Sequence, residues 1–596
     1  MKKRLLTALA CAGLISGAAG FAPSGASADA PSKAALPEAF DRLIVLPFDY
    51  HDKAFLNGQL TDFMYSDYDI VERNGRIYVP IRLMSTLATN ADIGKGAWDA
   101  VWQAAHPKDV LLSNANLHKR VQFTVGSKTM LVNGEPVVMD AAPLQVDGRV
   151  VLPLRSAAEA LDKEIDWLDG LILIGTEHVD LTSPRTLEVK DRVKQVLTDP
   201  RKPVAYENAP VPLGRFGHAA YYYTTAYRSN GSVETLFRQP DGGKAAEVKL
   251  PGNPLLHAAK AIGGKLYFVT ANGGAAELAA YNFADGQSRK IAAIPQWKPE
   301  DGWVTDIRSD GGELYVILHT GDLTMGGETL YKVSGGALTK VADAKSVIHF
   351  TANGGYLYMT DFHPMADASN NLVRIDRKTG ASSAFGQPGF TYGISRTIND
   401  HGVGFGGDVS MMIQDGYLYT LGYLESDPKD VPAVYKIKLA DGTQVKLTGA
   451  ASSFWLADGR IVYVDGASGG LKSVDPSGGN ARTLTARKAE NVRFANGGFY
   501  YTEGTANGAA QDPGTLYSYD LAAGREVRLS DRPAASYEVG EAGVYYVAKG
   551  YEPGLYKVDA SGLNRRLVAD SIASSALTEA GMTYTLTYKA GVYTAQ

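Results

Sequence analysis

The chain of 596 residues is too long for one compact core, so the sequence predicts at least two domains unless a large repeat fold takes most of its length. With 45% hydrophobic and 21% charged residues, the composition is globular rather than disordered. A formal net charge of −5 argues against a basic nucleic-acid-binding protein, while 65 glycines and 33 tyrosines favour strands and tight turns.

The first 28 residues have the pattern of a signal peptide. Residues 2–4 are Lys-Lys-Arg, residues 5–19 are apolar or small, and Ala26-Ser27-Ala28 fits a cleavage site. We expect cleavage near Ala28 and a secreted or cell-surface protein; a membrane anchor and a lipoprotein Cys11 are the less favoured alternatives. Cys11 is the only cysteine, so the mature chain would contain no disulfide and no thiol nucleophile. No later stretch is long and apolar enough to span a membrane.

Residues 39–180 contain an internal duplication. In the second copy, Asn133-Gly134 predicts a hairpin turn, Asp147-Gly148-Arg149 predicts another turn, and residues 150–155 lead into a helix. The first copy repeats this order more weakly, with the turn Asn74-Gly75-Arg76 and a helix entry over residues 77–82. The region is therefore predicted to be a small duplicated α+β module.

The second copy resembles the copper amine oxidase N-terminal-like domain. The resemblance rests on the Asn-Gly hairpin, the Asp-Gly-Arg turn, the helix entry V-L-P-L-R-S-A-A-E-A-L and the following I-D-W strand. This resemblance implies a stalk, adhesion or cell-wall unit of exported Gram-positive proteins. It also implies that copper and the tyrosine-derived quinone belong to a separate catalytic domain with T-x-x-N-Y-[DE] and H-x-H motifs. The sequence contains no Asn-Tyr and no His-x-His, so we expect no amine oxidase activity, no copper and no other cofactor.

Two pairs of residues in this module admit a functional interpretation. Arg82 and Arg155 follow equivalent prolines and could contact anions or polysaccharide, although stem packing and a nearby carboxylate partner are the favoured explanation. Trp98 and Trp167 could be sugar platforms, although closing a small core is the commoner role for tryptophan.

Residues 181–215 are predicted to be a helical and proline-rich linker. Val189, Val193, Val196 and Leu197 form an apolar stripe on an otherwise charged helix, and prolines then stiffen the exit.

Residues 216–596 repeat with a period of roughly 40–50 residues. Each repeat has a glycine turn, a tyrosine-rich strand, a variable loop, a strand such as Leu-Tyr-Lys-Val-Asp and a final short strand. Four strands per repeat predict a β-propeller, with eight blades favoured over seven, and a truncated last copy suggests closure by strand sharing. The repeat resembles the six-bladed extracellular propellers of the low-density lipoprotein receptor type in bacterial proteins. The predicted fold class is thus mainly β.

The candidate ligand-binding residues lie in the long loops between second and third strands and in one connection between blades, because such loops gather on one face of a propeller. They are Trp297, Trp303, His319, Asp322, Asp361, His363, Glu425, Asp427 and Glu503. Solvated charges are the alternative explanation. No spacing among them predicts a metal site, and no nucleophile elbow, zinc-protease motif or P-loop occurs, so no catalytic residue is assigned.

The sequence therefore predicts an exported, non-enzymatic cell-envelope protein. Its N-terminal module would associate with the envelope, and its propeller would bind a cell-wall polymer, an extracellular protein or a glycan; we expect no nucleic-acid partner. A propeller hydrolase or lyase acting on extracellular polysaccharide is the alternative, because the candidate loops are acidic. A purely structural or sensory role is a third possibility.

Overall fold

The computed structural model describes Phe40 and residues 43–48, 53–56, 58–62, 70–91, 95–102, 105–205, 209–229, 231–272, 274–322, 326–344, 347–362, 368–399, 402–406, 411–504, 514–578 and 581–596. The predicted signal peptide and His363 lie outside the described residues. As predicted, the chain is mainly β, with an α+β N-terminal module and a β-propeller. Within the described ranges, no helix is long and apolar enough to cross a bilayer.

The strands of the N-terminal module are β1 (Ile44–Pro47), β2 (Lys53–Leu56), β3 (Gln59–Asp62), β4 (Val71–Arg73), β5 (Arg76–Pro80), β6 (Asp99–Trp102), β7 (Asp109–Asn114), β8 (Lys119–Thr124), β9 (Thr129–Val132), β10 (Glu135–Val138), β11 (Leu144–Val146), β12 (Arg149–Pro153), β13 (Glu164–Leu168) and β14 (Leu171–Gly175). The helices are α1 (Ile81–Ala91), α2 (Leu154–Ala160) and, after the module, α3 (Pro184–Leu197). The three sheets have the orders β13-β14-β1-β2-β3, β10-β9-β8-β7-β6 and β11-β12-β5-β4.

The two copies of the duplication meet at the centre of one sheet. Strands β5 and β12 pair antiparallel, with Tyr78 opposite Pro153 and Val79 opposite Leu152. Each strand follows a turn whose first two residues have positive φ, and each leads directly into a helix. The copies are therefore related by a local twofold arrangement. Leu83 and Leu87 of α1 are buried in the core of the module.

Helix α3 joins the module to the propeller and packs against both. Ser183 precedes it and Pro184 occupies its first turn, where a missing N–H has no intrahelical partner to lose. Of the predicted stripe, Val189, Val193 and Leu197 are buried and Val196 is partly buried. They share one apolar cluster with Phe55 of β2 and with Tyr551 of the propeller.

The propeller contains nine sheet units in chain order. The first four are β15 (Val211–Phe216), β16 (Ala219–Arg228), β17 (Gly231–Pro240), β18 (Ala246–Glu247); β19 (Asn253–Ile262), β20 (Lys265–Asn272), β21 (Ala275–Asn282), β22 (Ser288–Ile294); β23 (Val304–Asp310), β24 (Glu313–Thr320), β25 (Gly327–Ser334), β26 (Ala337–Ala344); and β27 (Val347–Asn353), β28 (Tyr356–Phe362), β29 (Leu372–Asp376), β30 (Ser382–Ala384).

The fifth unit comprises β31 (Phe390–Tyr392), β32 (Ser395–Asn399), β33 (Gly402–Gly406), β34 (Met412–Gln414), β35 (Tyr417–Leu424), β36 (Ala433–Lys438) and β37 (Gln444–Lys446). The remaining units are β38 (Ala451–Ala457), β39 (Arg460–Asp465), β40 (Leu471–Val474), β41 (Arg482–Thr485); β42 (Ala489–Ala495), β43 (Gly498–Glu503), β44 (Leu516–Asp520), β45 (Arg525–Arg528); β46 (Ala534–Gly540), β47 (Gly543–Ala548), β48 (Gly554–Val558), β49 (Asn564–Val568); and β50 (Ile572–Thr578), β51 (Gly581–Leu586), β52 (Val592–Ala595).

Seven of these units are antiparallel four-stranded meanders, of which the second and third join in one eight-stranded sheet, and the ninth unit has three strands among the described residues. In the fifth unit the first strand is divided into β31 and β34, which both pair with β35, and the β32–β33 hairpin is inserted between them. The ring closes where β15 packs against β50. All strands of the last sheet come from the C-terminal repeat, so the expected strand sharing is not formed by the described strands.

The tyrosine-rich repeat has a packing explanation. A tyrosine ring fills the space between units while its hydroxyl reaches a polar partner. Among the largest fully buried side chains are therefore Tyr221, Tyr315, Tyr392, Tyr501 and Tyr546.

The turns between third and fourth strands recur for a different reason. In several units an aspartate at the end of the third strand accepts backbone N–H bonds from residues two to four positions later.

Candidate functional site

The N-terminal module contains a cleft of about 580 Å³. It lies where β4 and β5 of the first copy face the start of α2 and strand β13 of the second copy. Its aromatic and charged lining residues are Phe48, Glu72, Arg76, Asp140, Arg155 and Trp167. We call this the Trp167 cleft.

The indole of Trp167 forms an exposed wall of the cleft. Trp167 lies on β13, where its backbone pairs with Ile172, and its side chain is 47% exposed. The ring of Phe48 is 5.9 Å away, centroid to centroid, at 54°. By contrast, Trp98, the loosely corresponding residue of the first copy, is 2% exposed and belongs to the module core. The core role favoured for both tryptophans thus holds for Trp98 and is wrong for Trp167.

The second wall is an ordered ion pair. The turn at Asn74-Gly75, with positive φ at both residues, presents Arg76 toward Asp140. Arg76 Nε donates to Asp140 Oδ2 at 2.9 Å, and Ser156 Oγ donates to Asp140 Oδ1 at 2.8 Å. The hydrogen bond from Arg76 is the main cause that lowers the pKa of Asp140, so this carboxylate stays ionised in mildly acidic solution.

Two further charges in the cleft are exposed. Arg155 lies in the first turn of α2 and Glu72 lies on β4. Within the described part of the chain neither has an ionic partner, so the carboxylate partner favoured for Arg155 is not found there. Together with Trp167, these groups offer a flat aromatic surface beside both hydrogen-bond donors and acceptors, which suits binding of a polar ring.

The predicted propeller residues fall into separate groups on successive units. Trp297, Trp303 and His319 form the first group: the rings of Trp303 and His319 stack with centroids 3.7 Å apart, and Trp297 Nε1 donates to the His319 carbonyl at 2.8 Å. His319 Nε2 lies 3.0 Å from the Asp322 carbonyl. Trp297 and His319 are buried, whereas Asp322 is exposed, so this group chiefly fixes a loop and presents Asp322 and part of Trp303.

Glu425 and Asp427 lie together in the loop after β35. Thr391 Oγ1 donates to Glu425 Oε2 at 2.5 Å, and Arg396 Nη2 donates to the Asp427 carbonyl at 3.1 Å. The Arg396 guanidinium also lies 3.9 Å from the centre of the Tyr423 ring. The loop is thus ordered by the inserted β32–β33 hairpin.

The remaining predicted residues lie apart from these. Asp361 lines a groove of about 350 Å³ between the third and fourth units, together with Asp343 and Asn370. Glu503 accepts a hydrogen bond from Arg487 Nη1 at 2.7 Å. His363 lies outside the described residues.

A titratable pair that the sequence analysis missed lies between the first two units. Glu234 on β17 is 7% exposed, and its Oε1 is 2.8 Å from His257 Nδ1 on β19. Glu234 also accepts the backbone N–H of Leu256 and of His257. The hydrogen bond with Glu234 raises the pKa of His257. Because the two residues belong to different repeats with no fixed spacing, no sequence motif could have found them.

Among the described residues, no group of three or more His, Cys, Asp or Glu side chains could hold a metal ion.

The N-terminal module matches a known family. Residues 55–171 match the copper amine oxidase N-terminal domain family. The chain is similar to solved structures of the Porphyromonas gingivalis dipeptidyl peptidase 4 (11% identity, 55% of this chain and 56% of that chain, TM-score 0.40) and of a Mycobacterium tuberculosis puromycin-hydrolyzing peptidase (12%, 65% and 60%, TM-score 0.36). It is also similar to an oligogalacturonate lyase from Vibrio parahaemolyticus (10%, 61% and 93%, TM-score 0.32). The chain thus spans little more than half of the dipeptidyl peptidase. No curated protein matches its sequence.

Proposed function

We propose that the chain is an exported, non-enzymatic protein of a Gram-positive cell envelope. Its N-terminal module binds an envelope glycan in the Trp167 cleft, and its propeller, of the low-density lipoprotein receptor type, binds an extracellular protein or glycan. The observation that carries this proposal is the exposed Trp167 ring beside Arg76, Asp140 and Arg155, whose guanidinium has no ionic partner among the described residues. A buried tryptophan would need no function beyond packing, as Trp98 illustrates.

The propeller's part of the proposal rests on the loops that join its second and third strands. Asp322 and Asp427 are exposed on such loops, which is where binding residues are usually found on repeat scaffolds, and Trp303, in the connection before β23, is partly exposed. Asp361 near the end of β28 and Glu425 directly after β35 occupy the corresponding place in their own units, where the second strand ends. These residues are proposed to contact the partner, whereas Trp297 and His319 support them from beneath.

A propeller hydrolase or lyase acting on extracellular polysaccharide is the second candidate. The specific observation in its favour is His257, because an imidazole oriented by a buried carboxylate is a unit that can transfer protons. Incubating the full chain and its His257→Gln variant with a polysaccharide that it binds would distinguish the two functions. Shorter products from the wild type alone would favour the enzyme.

The envelope function is tested by co-sedimentation of the full chain with purified Gram-positive cell-wall sacculi. The informative variant is Trp167→Ala, and the matched control is Trp102→Ala, since Trp102 is a 56% exposed tryptophan of the same module outside the cleft. We expect Trp167→Ala to weaken binding at least about tenfold, as for a central aromatic contact, and Trp102→Ala to bind like the wild type. Equal binding by all three proteins would contradict the proposed tether.

A further inference from the structure

The charges of the Trp167 cleft balance. Arg76 and Arg155 supply two positive groups, and Glu72 and Asp140 supply two negative groups. Among the described residues, Glu72 and Arg155 have no ionic partner. An anionic polymer would place its charge near the Glu72 carboxylate, and a cationic ligand would meet Arg155. Because the cleft has two charges of each sign, the attraction of a charged ligand to one sign is offset by repulsion from the other, so neither kind of charged ligand gains an electrostatic advantage.

The cleft contains both hydrogen-bond donors and hydrogen-bond acceptors. A guanidinium only donates and an ionised carboxylate only accepts, whereas a sugar hydroxyl does both. Arg76 donates through Nε to Asp140, which leaves Nη1 and Nη2 without an acceptor in the described part of the chain. A pair of neighbouring hydroxyls on one ring can therefore receive a bond from Arg76 or Arg155 and return one to Glu72 or Asp140.

From these observations, and resting on the proposed function, we propose that the Trp167 cleft binds an uncharged pyranose ring of a polysaccharide. The apolar face of the ring stacks on Trp167, and its hydroxyls lie between the arginines and the carboxylates. A cleft of about 580 Å³ is within the roughly 300–1,000 Å³ that small-molecule sites occupy. Since the corresponding Trp98 is buried, the duplicated module presents one such tryptophan platform rather than two.

The test is isothermal titration calorimetry of the full chain with three probes: cellohexaose and chitohexaose, which are uncharged, and hexagalacturonate, which is anionic. We expect an uncharged hexasaccharide to bind at least about tenfold more tightly than hexagalacturonate, and Trp167→Ala to abolish that binding while Trp102→Ala preserves it. Glu72→Gln removes the carboxylate that repels an anion, so it should improve hexagalacturonate binding several-fold without a comparable gain for the uncharged probes. A structural role of Glu72 would not produce this shift.

Failure of both uncharged probes to bind, or tighter binding of hexagalacturonate that Arg155→Ala abolishes, would overturn the ligand class. The two proposals fail differently. If sacculi still sediment the chain in a Trp167-dependent manner, the envelope function stands and only the uncharged ligand is wrong. If Trp167→Ala leaves sedimentation intact, the envelope function of the cleft is wrong whatever the oligosaccharides show.

Discussion

The contact between module and propeller depends strongly on one side chain, Tyr551. It projects from the eighth unit into the cluster that contains Val189 and Val193 of α3, and its ring centroid is 6.1 Å from that of Phe55. The approach is close: Gly550, at positive φ, passes so near the Gly58 carbonyl that a Cβ would collide with it. We predict that Tyr551→Ala uncouples the two parts of the chain.

The magnitude follows from burial. Tyr551 is 5% exposed, and a buried aromatic side chain removes roughly 150–250 Å² from water. At about 25 cal/mol per Å² this corresponds to about 4–6 kcal/mol, close to the roughly 3–5 kcal/mol measured for truncating core aromatics. We therefore expect Tyr551→Ala to lower the free energy of unfolding by about 3–5 kcal/mol. The ion pairs of Glu552 with Arg192 and Arg532 remain in the variant and do not replace the apolar contact.

The assay is urea unfolding of the full chain, with hydrogen exchange to locate the loss. Tyr227→Ala, which truncates a half-exposed tyrosine on β16, is the matched control and should change stability by no more than about 0.5 kcal/mol. In Tyr551→Ala, β2 and α3 should lose protection while the strands of the central units keep it. A Tyr551→Ala protein within about 0.5 kcal/mol of the wild type would refute this account of the interface.

Three further predictions concern charged groups of the propeller. Glu313→Gln breaks the 2.7 Å ion pair with Arg377 that joins the third and fourth units, and should cost about 1–3 kcal/mol in urea unfolding, whereas the exposed Glu300→Gln should cost nothing measurable. The pKa of His257 is raised above its ordinary value of 6.5, so the wild type should be more stable than His257→Gln at pH values below 6.5. This stability difference should vanish as the pH rises through the raised pKa. A stability difference that grows with pH would contradict the prediction. Hydrogen bonds, above all from the hydroxyl of Ser477 in the same turn, lower the pKa of Asp475 to about 2. The wild type should therefore be more stable than Asp475→Asn by its full margin above pH ~4, and this stability difference should disappear toward pH 2. Acid titrations followed by circular dichroism measure it.

Much of the architecture could be predicted because it repeats. The glycine turns and the strands like Leu-Tyr-Lys-Val-Asp recur roughly every 40–50 residues, and the structure places each such strand third in its unit. The divided first strand of the fifth unit could not be predicted, since Phe390 and Met412 are too far apart in sequence to suggest that both pair with β35.

The site was harder to predict than the fold. The sequence marks Trp167 and Arg155 as candidates, but it favours packing as the explanation for both. The ion pair beside them joins Arg76 and Asp140, which are 64 positions apart and meet because β5 of one copy pairs with β12 of the other. Such contacts depend on tertiary pairing, which local spacing does not reveal.

The most direct test of the central claim is protection of Trp167 from oxidation. The full chain would be treated briefly with N-bromosuccinimide, with and without saturating solubilised cell-wall glycan, and the modification of each of its six tryptophans would be read by peptide mass spectrometry. Trp167 and Trp102 are both exposed, so both should react in the free protein. The account predicts that glycan protects Trp167 and leaves Trp102 reactive. Equal oxidation of Trp167 with and without glycan would contradict it.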